Sequence, residues 1–270
     1  MNLVVDGIHY RYPSGTSALE DVSLQASAGE SVAVVGQNGA GKTTFAKHLN
    51  GLLKPTRGSV RAGDWDTRRH SPAQMSARVG MVFQNPGDQL FARTVWEEVA
   101  FGPRNQHLGK DAITERVESS LEAVGLLAVR EGHPYDLATP QRKLVALAAT
   151  LAMATPILVL DEPSLGQDTE GVSLLGALID GLVAEGRLVL TITHDLDFAL
   201  EHCPRAILMA EGRVLADGKS AEILSQSKLL SSADLEPPVL LQLAAGLEMP
   251  ARIRRISEFV AAYAERPPQV

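Results

Sequence analysis

Short, wholly apolar runs separated by polar and glycine-rich joints recur along the chain, and such runs mark strands covered on both faces. Val32–Val35, Val79–Phe83, Ile157–Leu160 and Leu188–Thr193 fit that pattern. Near the start, Leu3–Tyr10 and Leu19–Ala26 predict an antiparallel hairpin region within residues 1–30. Helical spacing takes over elsewhere. Thr43–Leu49 continues without Gly or Pro, and helical patterns dominate Val95–Ala154, including Ala112–Val124 and Gln141–Met153. Arg205–Asp217 reads as a hairpin turning at Glu211-Gly212, with a short helix from Ser220. The predicted class is α/β.

The longest uncharged stretch, Leu144–Leu160, approaches the length that spans a bilayer, but Thr155 and Pro156 break it. A buried helix followed by a buried strand is expected instead. Met1–Tyr12 carries Asp6 and Arg11 and has no continuous apolar core, unlike a secretory leader. Toward the other end, Glu236-Pro237-Pro238 precedes a tail in which Leu240, Leu243, Ala244 and Leu247 recur at helical spacing. Ile253, Ile256, Phe259, Val260 and Tyr263 form a second stripe. These helices either dock on their own domain or meet a second subunit.

Composition narrows the picture only a little. With 270 residues and 45% hydrophobic content the chain can form one large domain, or one domain with an appendage. A formal charge of −7 argues against broad nucleic-acid binding. The single cysteine, Cys203, excludes an intramolecular disulfide, fits a reducing compartment and reads as a buried spectator thiol.

The chemistry begins at Gly36-Gln37-Asn38-Gly39-Ala40-Gly41-Lys42-Thr43-Thr44, which follows a predicted strand and opens a predicted helix. Glycines at 36, 39 and 41 let successive main-chain N–H groups turn inward toward phosphate oxygens. The positive end of the helix adds attraction, Lys42 supplies a mobile cation for the β- and γ-phosphates, and the Thr43 hydroxyl can ligate Mg²⁺. A nucleoside triphosphate with magnesium is the expected ligand.

Two further strand ends carry polar groups. Ile157–Leu160 delivers Asp161 and Glu162 at its C-terminal edge, where parallel sheets bind ligands; Asp161 can hold Mg²⁺ through water and Glu162 can orient an attacking water. Leu188–Thr193 ends at His194, whose imidazole can hydrogen-bond a γ-phosphate and the water attacking it.

In this order, the motifs resemble the nucleotide-binding subunit of ABC transporters over nearly the whole chain. The resemblance implies an α/β P-loop ATPase domain with an antiparallel β subdomain, an inserted helical subdomain and a helical C-terminal extension. It assigns Walker A to Gly36–Thr44, Walker B to Ile157–Glu162, the D-loop aspartate to Asp168, the switch histidine to His194 and the glutamine loop to Gln84. It implies catalytic roles for Glu162, His194 and Gln84, with Gln84 joining Thr43 and Asp161 around the metal. Tyr12 falls where the family stacks an aromatic ring on adenine, although a hairpin tyrosine also serves sheet packing.

Gln84–Pro103 looks more specifically like ATPases of energy-coupling-factor importers, which take up vitamins, cobalt or nickel. There the region lines a groove for helices of a membrane-embedded coupling subunit, and a separate membrane subunit binds the substrate. Leu90, Phe91, Val95, Trp96 and Phe101 supply apolar groups for such a groove or for a subdomain core. Phe91 and Trp96 are the ones expected at the surface.

One motif departs from the family. Leu137-Ala138-Thr139-Pro140-Gln141 stands where the signature Leu-Ser-Gly-Gly-Gln is usual, so a hydroxyl and two glycines are lost, and Pro140 has no N–H to donate. Thr139 is expected to cap the following helix, with Pro140 at its first position. Because the family pairs subunits head to tail, the resemblance implies a second ATPase with an intact signature. It also implies residues 1–227 as the nucleotide-binding domain, with the helical subdomain inserted at about 85–155. Residues 228–270 would be an extension that serves dimer contact, and the assembly would sit at the cytoplasmic face of the membrane.

Overall fold

A computed structural model describes residues 1–249 and 253–264. Its strands are β1 (Leu3–Arg11), β2 (Ser17–Ala26), β3 (Ser31–Val35), β4 (Arg57–Ala62), β5 (Trp65–Asp66), β6 (Val79–Val82), β7 (Ile157–Asp161), β8 (Leu188–Thr193), β9 (Arg205–Ala210) and β10 (Arg213–Lys219). The helices are α1 (Lys42–Leu49), α2 (Pro72–Met75), α3 (Val95–Asn105), α4 (Lys110–Ala123), α5 (Thr139–Ala152), α6 (Thr169–Ala184), α7 (Leu196–His202), α8 (Ser220–Leu224), α9 (Ser227–Ser231), α10 (Val239–Gly246) and α11 (Ile256–Ala264).

The apolar runs lie together in one sheet of order β10-β9-β3-β8-β7-β6, parallel except for β10. The expected hairpin, β1 with β2, belongs to a second, antiparallel sheet of order β2-β1-β4-β5. Sequence patterning did not announce β4. Its Gly58 takes a left-handed backbone (φ +80°) where a Cβ would lie 2.3 Å from the Gly7 carbonyl oxygen, and this break in the alternation hides the strand.

Alternation along the buried strands sorts side chains into separate cores. On β7, Ile157 and Val159 face the antiparallel sheet and α1, whereas Leu158 and Leu160 face the helices α3–α6. On β3, Val32 and Val34 join the first core, and Ala33 and Val35 join a third with α7, α8 and α10. All these side chains are buried, as the uninterrupted apolar runs require. The β9–β10 turn has Glu211 (φ +50°) and Gly212 (φ +74°), both left-handed, the backbone of a tight two-residue hairpin.

Two expectations need correction. Helix α5 is capped by Ala138, not Thr139: the Ala138 carbonyl accepts the first helical bond from the Arg142 N–H (3.0 Å), while Gln141 Oε1 reaches back to the Ala138 N–H at 3.2 Å. Thr139 and Pro140 are therefore the first two helical residues, where a missing N–H leaves no helical bond unmade. In α10 the inward stripe is Leu241 and Ala244, with Leu240 beside them, and Leu243 faces solvent. On α11, Ile256, Val260 and Tyr263 are exposed. Residues 250–252 and 265–270 of the expected extension lie outside the described residues. No helix among the described residues is long and apolar enough to cross a membrane.

Leu158→Ala should cost about 2–5 kcal/mol in chemical denaturation, because the side chain is fully buried between β7 and the helices. Nucleotide affinity should change less than about twofold if the helical core and the strand edge are energetically separate. A wild-type denaturation midpoint would place Leu158 outside the core.

Candidate active site

Each chemical motif follows the C-terminal end of a parallel strand. Val35 of β3 pairs with Thr193 of β8, and Asp161 of β7 with Ile192 of β8, so these ends are nearly level. The phosphate loop, Glu162 and His194 therefore emerge at one edge, where open parallel sheets bind ligands.

The loop residues divide by role. A cleft of about 290 Å³ is lined by Tyr12, Asn38, Gly39, Gly41–Thr44, Gln84 and Glu162, among others. Gly36, Gln37 and Ala40 do not line it. A Cβ at Gly36 would stand 2.2 Å from the Met209 carbonyl oxygen, and one at Gly41 2.6 Å from that of Ala18. The loop thus packs too closely on β9 and β2 for side chains at these positions. The Gln37 side chain turns away from the cleft and donates to the Asp234 carbonyl.

Helix α1 is built for an anion. Its N-cap, Gly41, offers no side-chain cap and its first turn has no acid, whereas α6 and α7 are capped by Asp168 and Asp195. The first N–H groups of α1 thus keep their capacity to bind an anion. Lys42, 6% exposed, donates to the carbonyls of Gly36 (2.6 Å) and Gln37 (3.0 Å). Burial lowers its pKa, and the charges of Glu162 and Asp161 partly restore it. Tyr12 holds its hydroxyl 2.8 Å from Thr44 Oγ1, with its ring edge-on to Tyr10.

The acidic groups sit deeper. Asp161 is 2% exposed and accepts from the Thr43 hydroxyl at 3.5 Å. Burial raises its pKa; the Thr43 hydroxyl opposes the rise and the neighbouring Glu162 charge reinforces it. Glu162 Oε2 accepts from His194 Nδ1 at 2.9 Å, from the Thr193 hydroxyl at 3.2 Å and from the His194 main chain at 3.4 Å. Glu162 also has a left-handed backbone (φ +51°), a conformation that costs a non-glycine residue roughly 1 kcal/mol or more. His194 remains half exposed beyond it. Gln84 is exposed at the mouth of the same cleft.

The donors fit a hard cation. Thr43 and Asp161 offer a hydroxyl and a carboxylate, and the described residues contain no cluster of three His, Cys, Asp or Glu. This donor set suits Mg²⁺, an ion that takes few protein oxygens and keeps water and phosphate as its other ligands. Sequence reading missed Thr193, Ser164 and Lys143. Ser164 donates to Asp195 Oδ2 at 3.2 Å, and the Asp195 N–H donates to Thr193 Oγ1 at 3.0 Å, so a hydrogen-bonded chain stands behind Glu162. Nothing in local spacing distinguishes these residues from ordinary cap and helix positions.

Residues 19–165, which carry this loop and both carboxylates, match the family model described as ABC transporter. The chain belongs to that family. It is 40% identical over 90% of its length to the cobalt import ATP-binding protein CbiO of Rhodobacter capsulatus, covering 87% of that protein. It is also 40% identical to the energy-coupling factor transporter ATP-binding protein EcfA of Carboxydothermus hydrogenoformans, over 90% of each chain. Among solved structures, cbiO1 of Clostridium perfringens, part of the ABC transporter complex cbiONQ, superposes with a TM-score of 0.75 at 32% identity, covering 90% of this chain and 98% of that one. The cassette MJ0796, dimeric and bound to ADP and Pi, matches with a TM-score of 0.72 at 25% identity over 81% of this chain and 98% of its own. As an ABC-type ATPase, the chain has the fold and the enzyme class that its motifs imply.

Burial of Asp161 has a measurable consequence. With its pKa raised in the fold, this carboxyl favours the native state below the ordinary carboxylate range, and that contribution is lost as pH rises through the raised value. Without nucleotide and metal, Asp161→Asn should raise Tm at pH 7, with the gain shrinking as pH falls toward 4. A variant less stable than wild type at pH 7 would show that the charge is compensated.

Proposed function

We propose that the chain binds and hydrolyses ATP to power an energy-coupling-factor type importer of a vitamin or transition-metal ion, at the cytoplasmic face of the membrane. One observation carries the catalytic part: Glu162, held by His194 and Thr193, lines the same cleft as the phosphate loop. Gly36–Thr44 cradle the phosphates, and Lys42 exchanges its carbonyl partners for phosphate oxygens. Tyr12 packs on the base. Thr43 and Asp161, with Gln84 at the cleft mouth, would hold Mg²⁺, which would supply charge neutralisation to the triphosphate. Glu162 accepts the proton of the attacking water, and His194 fixes that carboxylate from Nδ1.

The membrane partner is supported by a groove of about 500 Å³ lined by Leu52, Met81, Phe83, Phe91, Phe101 and Met153, among others. Phe91 and Phe101 are 63% and 48% exposed and meet edge to face at 4.8 Å. Leu90 and Val95 are buried. Trp96, expected at the surface, is half-buried: its main-chain N–H donates to the Arg130 carbonyl at 2.8 Å and its side chain packs against the helical core. Gln84 sits five residues before Gln89, whose amide takes the Phe83 N–H and donates to Ala146 and Thr150. The segment therefore runs from the nucleotide cleft to the groove wall.

Pairing with a second ATPase is supported by the altered signature. Ala138 has no hydroxyl, Pro140 no N–H, and no side chain accepts from the first N–H groups of the helix. The chain would offer an impaired surface to its partner while keeping a complete site of its own. We divide it accordingly into a nucleotide-binding domain over 1–227, with the helical subdomain at about 85–155, and an extension over 228–270. The exposed apolar faces of α10 and α11 suit contact with the second ATPase.

Glu162→Gln should lower turnover at saturating ATP roughly 100-fold or more while ATP binding persists. Steady-state hydrolysis with equilibrium nucleotide binding decides it, and near-normal turnover removes Glu162 from the mechanism. The wild-type chain should co-purify from detergent extracts with another ATPase and with membrane subunits. Phe101→Asp should lose the membrane subunits and still bind ATP, and their unchanged recovery would place docking elsewhere.

A further inference from the structure

Lys143 lies on α5, outside the cleft lining, and is only 8% exposed. Its Nζ donates to the carbonyl of Glu162 at 3.0 Å and to that of Leu165 at 2.7 Å. Burial lowers its pKa, and the charges of Glu162 and Asp161 oppose that fall. An apolar side chain would fill the same space without the desolvation cost of an ammonium group, so packing alone does not account for a lysine here.

What the ammonium holds is specific. The left-handed Glu162 has its N–H fastened to the Ile192 carbonyl at 2.8 Å, which ties it to β8. Its own carbonyl is fastened only by Lys143 among the described residues. A second link runs the same way, since Gln167 Nε2 donates to the Pro140 carbonyl at 3.1 Å. The segment 162–167 is thus pinned to α5 at both ends, and the first turn of α5 carries Thr139–Gln141 of the altered signature.

We propose that Lys143 is a positioning residue: it clamps the 162–165 turn so that the Glu162 carboxylate keeps its place beside Thr193 and His194, and it makes the orientation of α5 a determinant of that place. A shift of α5, whose start would face the partner's nucleotide, is then felt at this chain's own base. The proposal rests on Glu162 being that base.

The test measures ATP turnover and nucleotide affinity of the chain with its co-purifying partners, for wild type, Glu162→Gln, Lys143→Met and Lys143→Arg. Lys143→Met should lower kcat at least about 10-fold, with KM and nucleotide Kd within about twofold. Lys143→Arg, which keeps donors on a long side chain, should recover a large part of that loss. Should Lys143→Met fail to fold, Lys143→Gln takes its place with the same expected split. Wild-type kcat in the folded Met or Gln variant, or equal losses in kcat and affinity, overturns the proposal while Glu162→Gln remains inactive. If Glu162→Gln itself turns over normally, the reading of the base fails and the clamp falls with it.

Discussion

The level ending of neighbouring parallel strands is the constraint on which the rest depends. Parallel pairing fixes Val35 against Thr193 and Asp161 against Ile192, so three loops that are distant in sequence leave the sheet at the same height. A slip of one residue in either ladder would exchange the side chains of the cores on the two faces of the sheet, and the packing of each core opposes that. The hydrophobic effect therefore sets the distances among Thr43, Asp161, Glu162 and His194, and the polar groups only refine them. Left-handed Glu162 is one such refinement, tolerated because hydrogen bonds hold it on several sides.

Charge explains why this edge suits a triphosphate. Two ammonium groups, Lys42 and Lys143, and two carboxylates, Asp161 and Glu162, are all at least nine-tenths buried. Opposite charges in equal number offset part of the cost of burial, yet neither lysine is paired directly with a carboxylate. Lys42 is held only by loop carbonyls, weaker partners than phosphate oxygens. An incoming anion thus gains a cation and an uncapped helix start without breaking an ion pair.

Much of this was legible in the sequence because it rests on local rules. Gly36, Gly39 and Gly41, the apolar strands and the Glu211-Gly212 turn each announce themselves by residue type and spacing. What stayed hidden depends on contacts across the fold. Lys143 resembles any lysine near a helix start until the 162–165 turn is seen against it. Gln37 faces the tail because Asp234 returns to the loop, which no pattern near residue 37 reveals. Trp96 reads as exposed until the chain at Arg130 is seen to take its main-chain N–H, and Thr139 suits the cap by its side chain better than Ala138, which holds the position.

Gln84 lines the nucleotide cleft and Gln89 and Phe91 line the apolar groove, so one short segment touches both. That arrangement suits an ATPase whose work is done on another protein. The most direct test of the account is calorimetric titration of ATP with and without Mg²⁺ into the purified chain. One magnesium-dependent site per chain, lost in Lys42→Ala, is the predicted result. Absence of magnesium-dependent ATP binding by the folded wild-type chain would contradict the account at its root.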